Sequence, residues 1–185
     1  MRKGLLLLLL PLLAAHSLQA SGFSIYEFGG RASAMGGAAV AWAWDGSTIF
    51  YNPAGLAYLD GTRIYGGTTL IFPNSRFVGA APVFSSAMYE TRDTFFYPIN
   101  FYFSHRFTRK FAAGLGVTNP FGLGVEWYDD FSGRGYSKNA QLKSFYISPV
   151  VAYQITPNFS IGGGADLVLA SVKLEKNVFL FDRAT

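Results

Sequence analysis

The chain has no cysteine, only two histidines and only 14% charged residues across its 185 positions. A typical soluble domain is about 25% charged. The missing cysteines exclude disulfide scaffolds and thiolate metal sites, and one of the two histidines, His16, lies in the N-terminal leader. The basic excess is small and includes Arg2 and Lys3, so nucleic acid is not an expected partner. Phe (18), Tyr (11) and Gly (21) are abundant, which suits a β-rich protein facing lipid.

Residues 1–20 have the pattern of a secretory signal peptide. Arg2 and Lys3 form a positive start, an apolar run with six consecutive leucines follows, and Ala20 is a small residue at a cleavage position. An uncleaved membrane anchor is the alternative, but the apolar run is too short to cross about 30 Å of hydrocarbon as a helix. We therefore expect cleavage after about Ala20 and a mature protein outside the cytoplasm.

Alternation with a period of two recurs along the mature chain and predicts strands. In each run one parity is apolar and rich in aromatics, and the other is small or polar. The runs are about ten residues long, the length that a tilted strand needs to cross a membrane. They cover residues 62–72, 97–107, 111–118, 144–156 and 159–169.

The connections between these runs favour a membrane barrel over a soluble sheet. Residues 108–110 and 156–158 are short turns, whereas 73–94 and 119–140 are long. Alternating short and long connections are typical of outer-membrane barrels, and a sheet in lipid must close because its edges find no partners there. A secreted soluble sandwich shows the same strand alternation and stays the alternative.

Residues 21–60 do not fit a strand. They are apolar and rich in small residues, without a period-two run. Asn52 is predicted to cap a short helix through its side-chain oxygen, with Pro53 at the first helical position. We expect this segment to be buried in the lumen of the barrel as a plug.

Three blocks of the sequence resemble one protein family. The first is 22–57 with its Asn-Pro-Ala at 52–54, and 96–134 and 142–176 follow in the same order. The chain is thereby similar to the FadL-type outer-membrane transporters of long-chain fatty acids and aromatic hydrocarbons. The resemblance implies an all-β fold, the N-terminal part of an antiparallel transmembrane barrel of roughly fourteen strands, plugged by an N-terminal hatch.

The resemblance also implies a function and a set of site residues. Family members pass hydrophobic molecules from outside into the barrel wall and then sideways into the membrane. Phe23, Asn52, Pro53 and Ala54 are then the predicted hatch and substrate residues. The predicted partners are fatty acids or hydrocarbons, outer-membrane lipid and the barrel-assembly machinery.

The same family places a lateral opening in one kinked strand of the wall. The predicted residues of the opening in this chain are Asn119, Pro120, Phe121, Gly122 and Gly124. Pro120 lacks the N–H that a ladder needs, and glycine weakens a strand interior, so a kink here opens the wall. Alternatively, Asn119 and Pro120 simply end the strand at a loop.

We count about five strands in residues 61–185, too few to close a barrel around such a plug. The chain is therefore predicted to be the N-terminal portion of a longer protein or a truncated gene product. A small structural or adhesive outer-membrane barrel without transport activity is the alternative function.

No residue constellation predicts an enzyme, a cofactor or a metal site. Ser104 and His105 are adjacent on a strand, so they point to opposite faces and cannot form a dyad. Asp129 and Asp130 are candidates for a divalent cation but read more simply as solvated loop residues. Asp166 is predicted inside the barrel, with Arg31 as a candidate partner.

Overall fold

The computed structural model describes residues 24–80 and 86–178. The predicted signal peptide and Phe23 lie outside the described residues. Within the described ranges, no helix has the length and apolarity required to span a membrane.

The N-terminal part of the described chain, residues 24–59, contains only short helices. These are α1 (Gly30–Ala34), α2 (Thr48–Tyr51) and a 3-10 helix at Pro53–Tyr58. Pro53 stands at the start of the 3-10 helix, where its missing N–H costs nothing.

Nine strands follow within residues 60–80 and 86–178. They are β1 (Thr62–Thr68), β2 (Arg76–Val78), β3 (Met88–Glu90), β4 (Ile99–Arg106), β5 (Phe111–Thr118), β6 (Gly124–Glu126), β7 (Asn139–Thr156), β8 (Phe159–Gly164) and β9 (Leu167–Glu175). Strands β2 and β3 form a separate hairpin within the connection 69–98, which the sequence pattern did not predict.

The other seven strands form one antiparallel sheet, in which β1 pairs with β4, β4 with β5, and β5 with β7. The long strand β7 pairs with four strands: β5 and β6 lie end to end along one of its edges, and β8 and β9 lie end to end along the other. β7 begins at Asn139, five residues before the predicted run. Residues 139–143 also alternate, but their apolar residues Ala140 and Leu142 have the parity opposite to that of the apolar run from Phe145, so the predicted strand stopped short of them.

The two faces of the sheet differ as the alternation predicts. Outward side chains are exposed and apolar, such as Phe101, Leu115 and Val151. On β4, β5 and β7, inward side chains such as Tyr102, Ala112 and Val150 are buried against residues 24–59, whereas every residue of β9 is exposed. The resulting core contains Ile25, Phe28, Ile49, Leu56, Ala57, Leu59, Tyr102, Ala112, Val150 and Ala152.

Glycines on the inner face let the N-terminal segment approach the sheet. A Cβ at Gly114 would lie 2.7 Å from Ile49 Cδ1, and one at Gly116 would lie 2.8 Å from Ile49 Cγ2. Real Cβ atoms do not approach other atoms so closely, so α2 packs directly on the backbone of β5. The small residues that the sequence pattern assigns to one face thus create the space for residues 24–59.

A proline explains the break between β8 and β9. The Pro149 carbonyl accepts a long hydrogen bond from the Ala165 N–H, 3.3 Å, so the backbone polar groups of Pro149 face this neighbouring strand. Proline has no N–H that could donate the reciprocal hydrogen bond to the Ala165 carbonyl. The ladder is therefore interrupted at Ala165 and Asp166, although the register on both sides of the break is the same.

Candidate functional site

The strand formed by β5 and β6 is interrupted between Thr118 and Gly124. At the interruption, side chains replace the backbone ladder. The Asn119 Oδ1 accepts from the Ile99 N–H of β4 at 3.1 Å, and the Asn119 Nδ2 donates to the Ser144 carbonyl of β7 at 2.9 Å. One amide side chain thus satisfies backbone groups on both neighbouring strands where β5 ends.

Beyond Asn119 the chain stays attached to β7 and leaves β4. The Phe121 carbonyl accepts from the Ser144 N–H at 2.7 Å and from the Ser144 hydroxyl at 3.0 Å. The Leu123 carbonyl accepts from Leu142 N–H at 3.0 Å. On the other side, residues 95–98 continue β4 along β1, since Phe96 and Ile71 form a bridge. A gap in the wall therefore separates residues 95–98 from residues 119–123.

A cavity of about 360 Å³ occupies the outer side of this gap. Its lining residues come from the continuation of β4, from the interruption and from the start of β7, and most of them are apolar. They are Phe95, Phe96, Tyr97, Pro98, Ile99, Asn119, Phe121, Gly122, Gln141, Lys143, Ser144 and Phe145.

A second cavity, also of about 360 Å³, lies on the inner side, between the N-terminal segment and the wall. Its lining residues are Ser24, Ile49, Phe50, Pro53, Thr118, Pro120, Phe121, Tyr146, Ser148, Val150, Gly164 and Asp166. Phe121 is the one residue that lines both cavities. Its ring lies 6.3 Å from that of Tyr146, so an aromatic pair stands between the two spaces.

The N-terminal segment touches the interruption directly. The Ile25 N–H donates to the Pro120 carbonyl at 2.8 Å, and a Cβ at Gly122 would lie 3.8 Å from Ile25 Cδ1. Tyrosine hydroxyls bind the residues that follow: Tyr102 donates to the Phe28 carbonyl at 3.2 Å, and Tyr65 accepts from the Gly30 N–H at 2.8 Å. The start of the segment is therefore held against the wall at the gap.

Tyr51 adds a contact within the segment. Its hydroxyl donates to the Tyr26 carbonyl and accepts from the Phe28 N–H at 3.3 Å. Burial raises the pKa of Tyr51, so the hydroxyl stays protonated and keeps its donor function at neutral pH.

The prediction that the Asn52 side chain caps a helix is wrong. Its amide makes no capping bond and instead donates from Nδ2 to the Val40 carbonyl at 2.9 Å. The Asn52 carbonyl accepts from the Thr48 hydroxyl at 3.0 Å. Asn52 therefore ties the loop at residue 40 to the end of α2, and an available backbone partner outcompetes the cap.

Ala54 docks the N-terminal segment on β8. Its carbonyl accepts from the Ser160 hydroxyl at 2.9 Å. A Cβ at Gly162 would lie 2.5 Å from the Ala54 nitrogen, so only glycine permits this contact. Of the Asn-Pro-Ala residues, Pro53 alone lines the inner cavity, whereas Asn52 and Ala54 anchor the segment.

We predict that Gly162→Ala weakens this docking, whereas the neighbouring Gly163→Ala does not. A Cβ at Gly163 has no atom within 4 Å, because this residue faces outward. Overpacking of this kind costs about 1–3 kcal/mol. Protease digestion of residues 24–59 and thermal unfolding measure the effect, and equal behaviour of the two variants would show that the contact does not hold the segment.

The structure brings together most of the residues predicted for the opening. Asn119, Pro120, Phe121 and Gly122 lie in the interruption, whereas Gly124 is the first residue of β6 and pairs with Gln141. Ser144, Ile25 and the pair of cavities were not predicted from the sequence. The available signal was polar Ser144 at the start of an apolar run, but its partner lies 23 residues away in sequence.

The other candidate groups have structural partners. Ser104 is buried inside, whereas the His105 ring contacts the Thr62 hydroxyl at 2.7 Å on the opposite face. The Asp166 carboxylate accepts from the Ser148 hydroxyl at 2.5 Å, so Ser148, rather than Arg31, is its partner. Within residues 24–80 and 86–178, no cluster of acidic or histidine side chains has the form of a metal site.

Asp129 belongs to an ion-pair group in the long connections. It pairs with Lys138, and Arg92 lies 3.7 Å from Asp129 and 3.5 Å from Glu126. The hydrogen bond and charge of Lys138 lower the pKa of the Asp129 carboxyl. Two cations thus already neutralise the carboxylate that was a candidate for a divalent cation.

Comparison with known proteins is consistent with this geometry. A sequence model of the family described as "Outer membrane protein transport protein (OMPP1/FadL/TodX)" matches residues 11–182. The chain belongs to this family. An outer membrane protein of Neisseria meningitidis serogroup B is 33% identical over 135 residues, which cover 69% of this chain and 29% of the relative.

The names of two further similar proteins refer to fatty acid transport or to FadL. The long-chain fatty acid transport protein of Escherichia coli K12 is 26% identical over 160 residues, covering 84% of this chain and 35% of that protein. The crystal structure of a Pseudomonas aeruginosa FadL homologue superposes with a TM-score of 0.60 at 18% identity, covering 83% of this chain and 39% of that one. The FadL-like chain spans about a third of the length of the curated relatives it matches.

Proposed function

We propose that this FadL-like protein takes up hydrophobic compounds passively across the bacterial outer membrane, by capture inside the barrel and lateral release through the interrupted strand. The observation that carries the proposal is the pair of cavities on the two faces of residues 119–123, with Phe121 in both. A ligand that rotates Phe121 aside passes from the inner cavity to the lipid side without crossing a complete backbone ladder.

Capture needs no energy source. Ile49, Phe50 and Val150 supply apolar surface to the inner cavity. Transfer of a hydrocarbon chain from water to such surface contributes about 0.8 kcal/mol per CH₂. The same chain gains nothing further in lipid, so it leaves as readily as it binds and the direction of transport follows the concentration gradient.

Residues 21–60 are the hatch in this proposal. Ile25 lies at the gap and Phe23 precedes it, so displacement of this end of the hatch frees the path between the cavities. The docking of Ala54 on β8 holds the other end in place while the first end moves. Hatch movement and wall opening are thereby coupled through the Ile25–Pro120 hydrogen bond.

We also propose that the chain is the N-terminal part of a barrel of roughly fourteen strands. Among the described strands, β1 pairs with β4 alone, and β8 and β9 pair with β7 alone, so both sheet edges carry unpaired backbone groups. Lipid cannot satisfy such groups, and further strands close the barrel.

Insertion requires the barrel-assembly machinery and cleavage of the leader after about Ala20. The intact mass of outer-membrane material tests the cleavage position.

Uptake by cells that lack other transporters of this kind tests the function. Cells that express the protein are expected to accumulate a radiolabelled long-chain fatty acid or alkyl aromatic faster than cells without it. Equal initial rates for both strains would favour a structural barrel without transport activity.

A further inference from the structure

The two cavities carry opposite charges. Among the residues that line the inner cavity, Asp166 is the one that is charged at neutral pH. Lys143 is the one charged residue among those that line the outer cavity. The other lining side chains are apolar, aromatic, hydroxyl or amide groups, so each cavity has a single sign of charge.

Neither charge is neutralised by an ion pair in the described ranges. Asp166 accepts a hydrogen bond from the Ser148 hydroxyl at 2.5 Å, and Ser148 is neutral. Lys143 is exposed, and the ion pairs between described residues do not include it. Its ammonium group is therefore available to an anion that enters the outer cavity.

The position of Lys143 suits the head of an amphiphile. Outward apolar side chains of β7 run from Phe145 to Ile155. At about 3.4 Å per residue and a tilt of about 40°, this stretch covers about 26 Å across the membrane, the height of a lipid-facing band. Lys143 is the next outward residue beyond this band, so it lies at the level of the outer headgroups. It also stands between Leu142 and Ser144, the two residues of β7 that hold the interrupted strand.

The charges lie on opposite faces of the wall. Lys143 shares the outward parity of Phe145, whereas Asp166 and its partner Ser148 line the inner cavity. An anionic group inside the barrel is repelled by Asp166, and the same group at the outer mouth is attracted by Lys143. Burial of the hydrocarbon tail is equally favourable on the two faces of the wall, so only the charge of the head group distinguishes the inner cavity from the outer one.

We propose that Lys143 is an anion-binding residue at the lipid-side mouth and that Asp166 disfavours anions inside, so that a carboxylate head favours the outer cavity over the inner one and single-chain carboxylate amphiphiles are released faster. The proposal rests on the lateral release described above. It assigns the outer cavity to the departing ligand, with the tail in the lipid below Phe145 and the carboxylate on Lys143. Neutral hydrocarbons use the same opening without this bias.

Lys143→Gln tests the proposal in cells that express the whole protein, with hexadecanoate and hexadecan-1-ol as probes of equal chain length. The initial uptake rate of hexadecanoate is expected to fall ~2- to 5-fold, the range that a partly exposed ion pair supplies. The rate for hexadecan-1-ol is expected to stay unchanged, and Lys143→Arg is expected to retain both rates. Asp166→Asn is expected to raise the amount of hexadecanoate that the purified protein retains, without changing the amount of the alcohol.

Two outcomes of the Lys143→Gln measurement overturn the proposal. An equal loss for both probes would assign Lys143 to assembly or to a phosphate of the surrounding lipid, and unchanged rates for both would show that it binds no transported anion. Gly122→Leu in the same assay distinguishes these outcomes from failure of lateral release. If Gly122→Leu leaves the uptake of both probes intact, the exit lies elsewhere. That result would contradict lateral release itself, independently of the role of Lys143.

Discussion

Val151→Arg is expected to abolish assembly of the protein in the outer membrane, whereas Ser148→Arg in the same strand is expected to assemble. Val151 is 52% exposed on the outward face, near the middle of the stretch from Phe145 to Ile155. A lipid-facing arginine at the bilayer midplane costs about 2–4 kcal/mol.

Ser148 provides the matched control because it lies three residues away and faces the inner cavity. An arginine there enters a space of about 360 Å³ and meets the Asp166 carboxylate. The amount of heat-modifiable protein in outer-membrane fractions measures assembly. Similar amounts of both variants would mean that the outward face does not contact lipid, and the account of the fold as a membrane wall would be wrong.

Gly122→Leu is expected to stop uptake while the protein still folds and captures ligand. A Cβ at Gly122 would lie 3.8 Å from Ile25 Cδ1 and 3.9 Å from the Asn119 carbonyl oxygen, both ordinary contacts. Gly122 lines the outer cavity, so the remaining atoms of the leucine are expected to fill the gap. Uptake of a neutral hydrophobic compound should fall to the rate of cells without the protein.

Gly124 is unsuitable for the same test. A Cβ at this residue would lie 2.6 Å from Gln141 Cγ, so substitution disturbs the pairing of β6 with β7 as well as the opening. Gly163→Leu is the better control, because a Cβ there has no neighbour within 4 Å. Equal loss of uptake in Gly122→Leu and Gly163→Leu would indicate a general effect of leucine on the wall and would contradict a specific exit.

Strand positions and faces could be predicted because each depends on local alternation. A side chain at position 101 or 151 points outward whenever the strand is regular, and the burial of the opposite parity confirms this. The short turns at 107–110 and 157–158 follow from the same pattern. Local order of this kind requires no knowledge of which strands are neighbours.

The breaks in the strands depend on neighbours and could not be predicted in the same way. Pro149 interrupts β8 and β9 because its missing N–H faces them, and the sequence does not state which neighbour it faces. At Asn119, the sequence left open a kink or a simple strand end. The structure shows β5 ending at Thr118 and β6 resuming on the same side of β7, with Asn119 and Ser144 supplying the missing polar partners.

The candidate site was predicted only in its sequence-local part. Residues 119–122 could be named from proline and glycine in one short stretch. Ile25, Ser144 and Lys143 join them from distant positions, through contacts that arise once β7 and the hatch are packed. The wrong prediction for Asn52 has the same origin, because its partner, the Val40 carbonyl, is 12 residues away in the sequence and is brought close only by the fold of residues 40–52.

Reversible chemical modification at Gly122→Cys tests lateral release most directly. The 185-residue chain has no cysteine, so the introduced thiol is the one reactive site in this part of the protein. A bulky alkyl methanethiosulfonate transfers its alkylthio group to this thiol with release of methanesulfinate, and the mixed disulfide that forms places the alkyl group in the outer cavity until a thiol reductant cleaves it. We expect modification to stop uptake of a neutral hydrophobic compound and reduction to restore it in the same cells. Uptake at the unmodified rate with the thiol fully modified would contradict release through this opening.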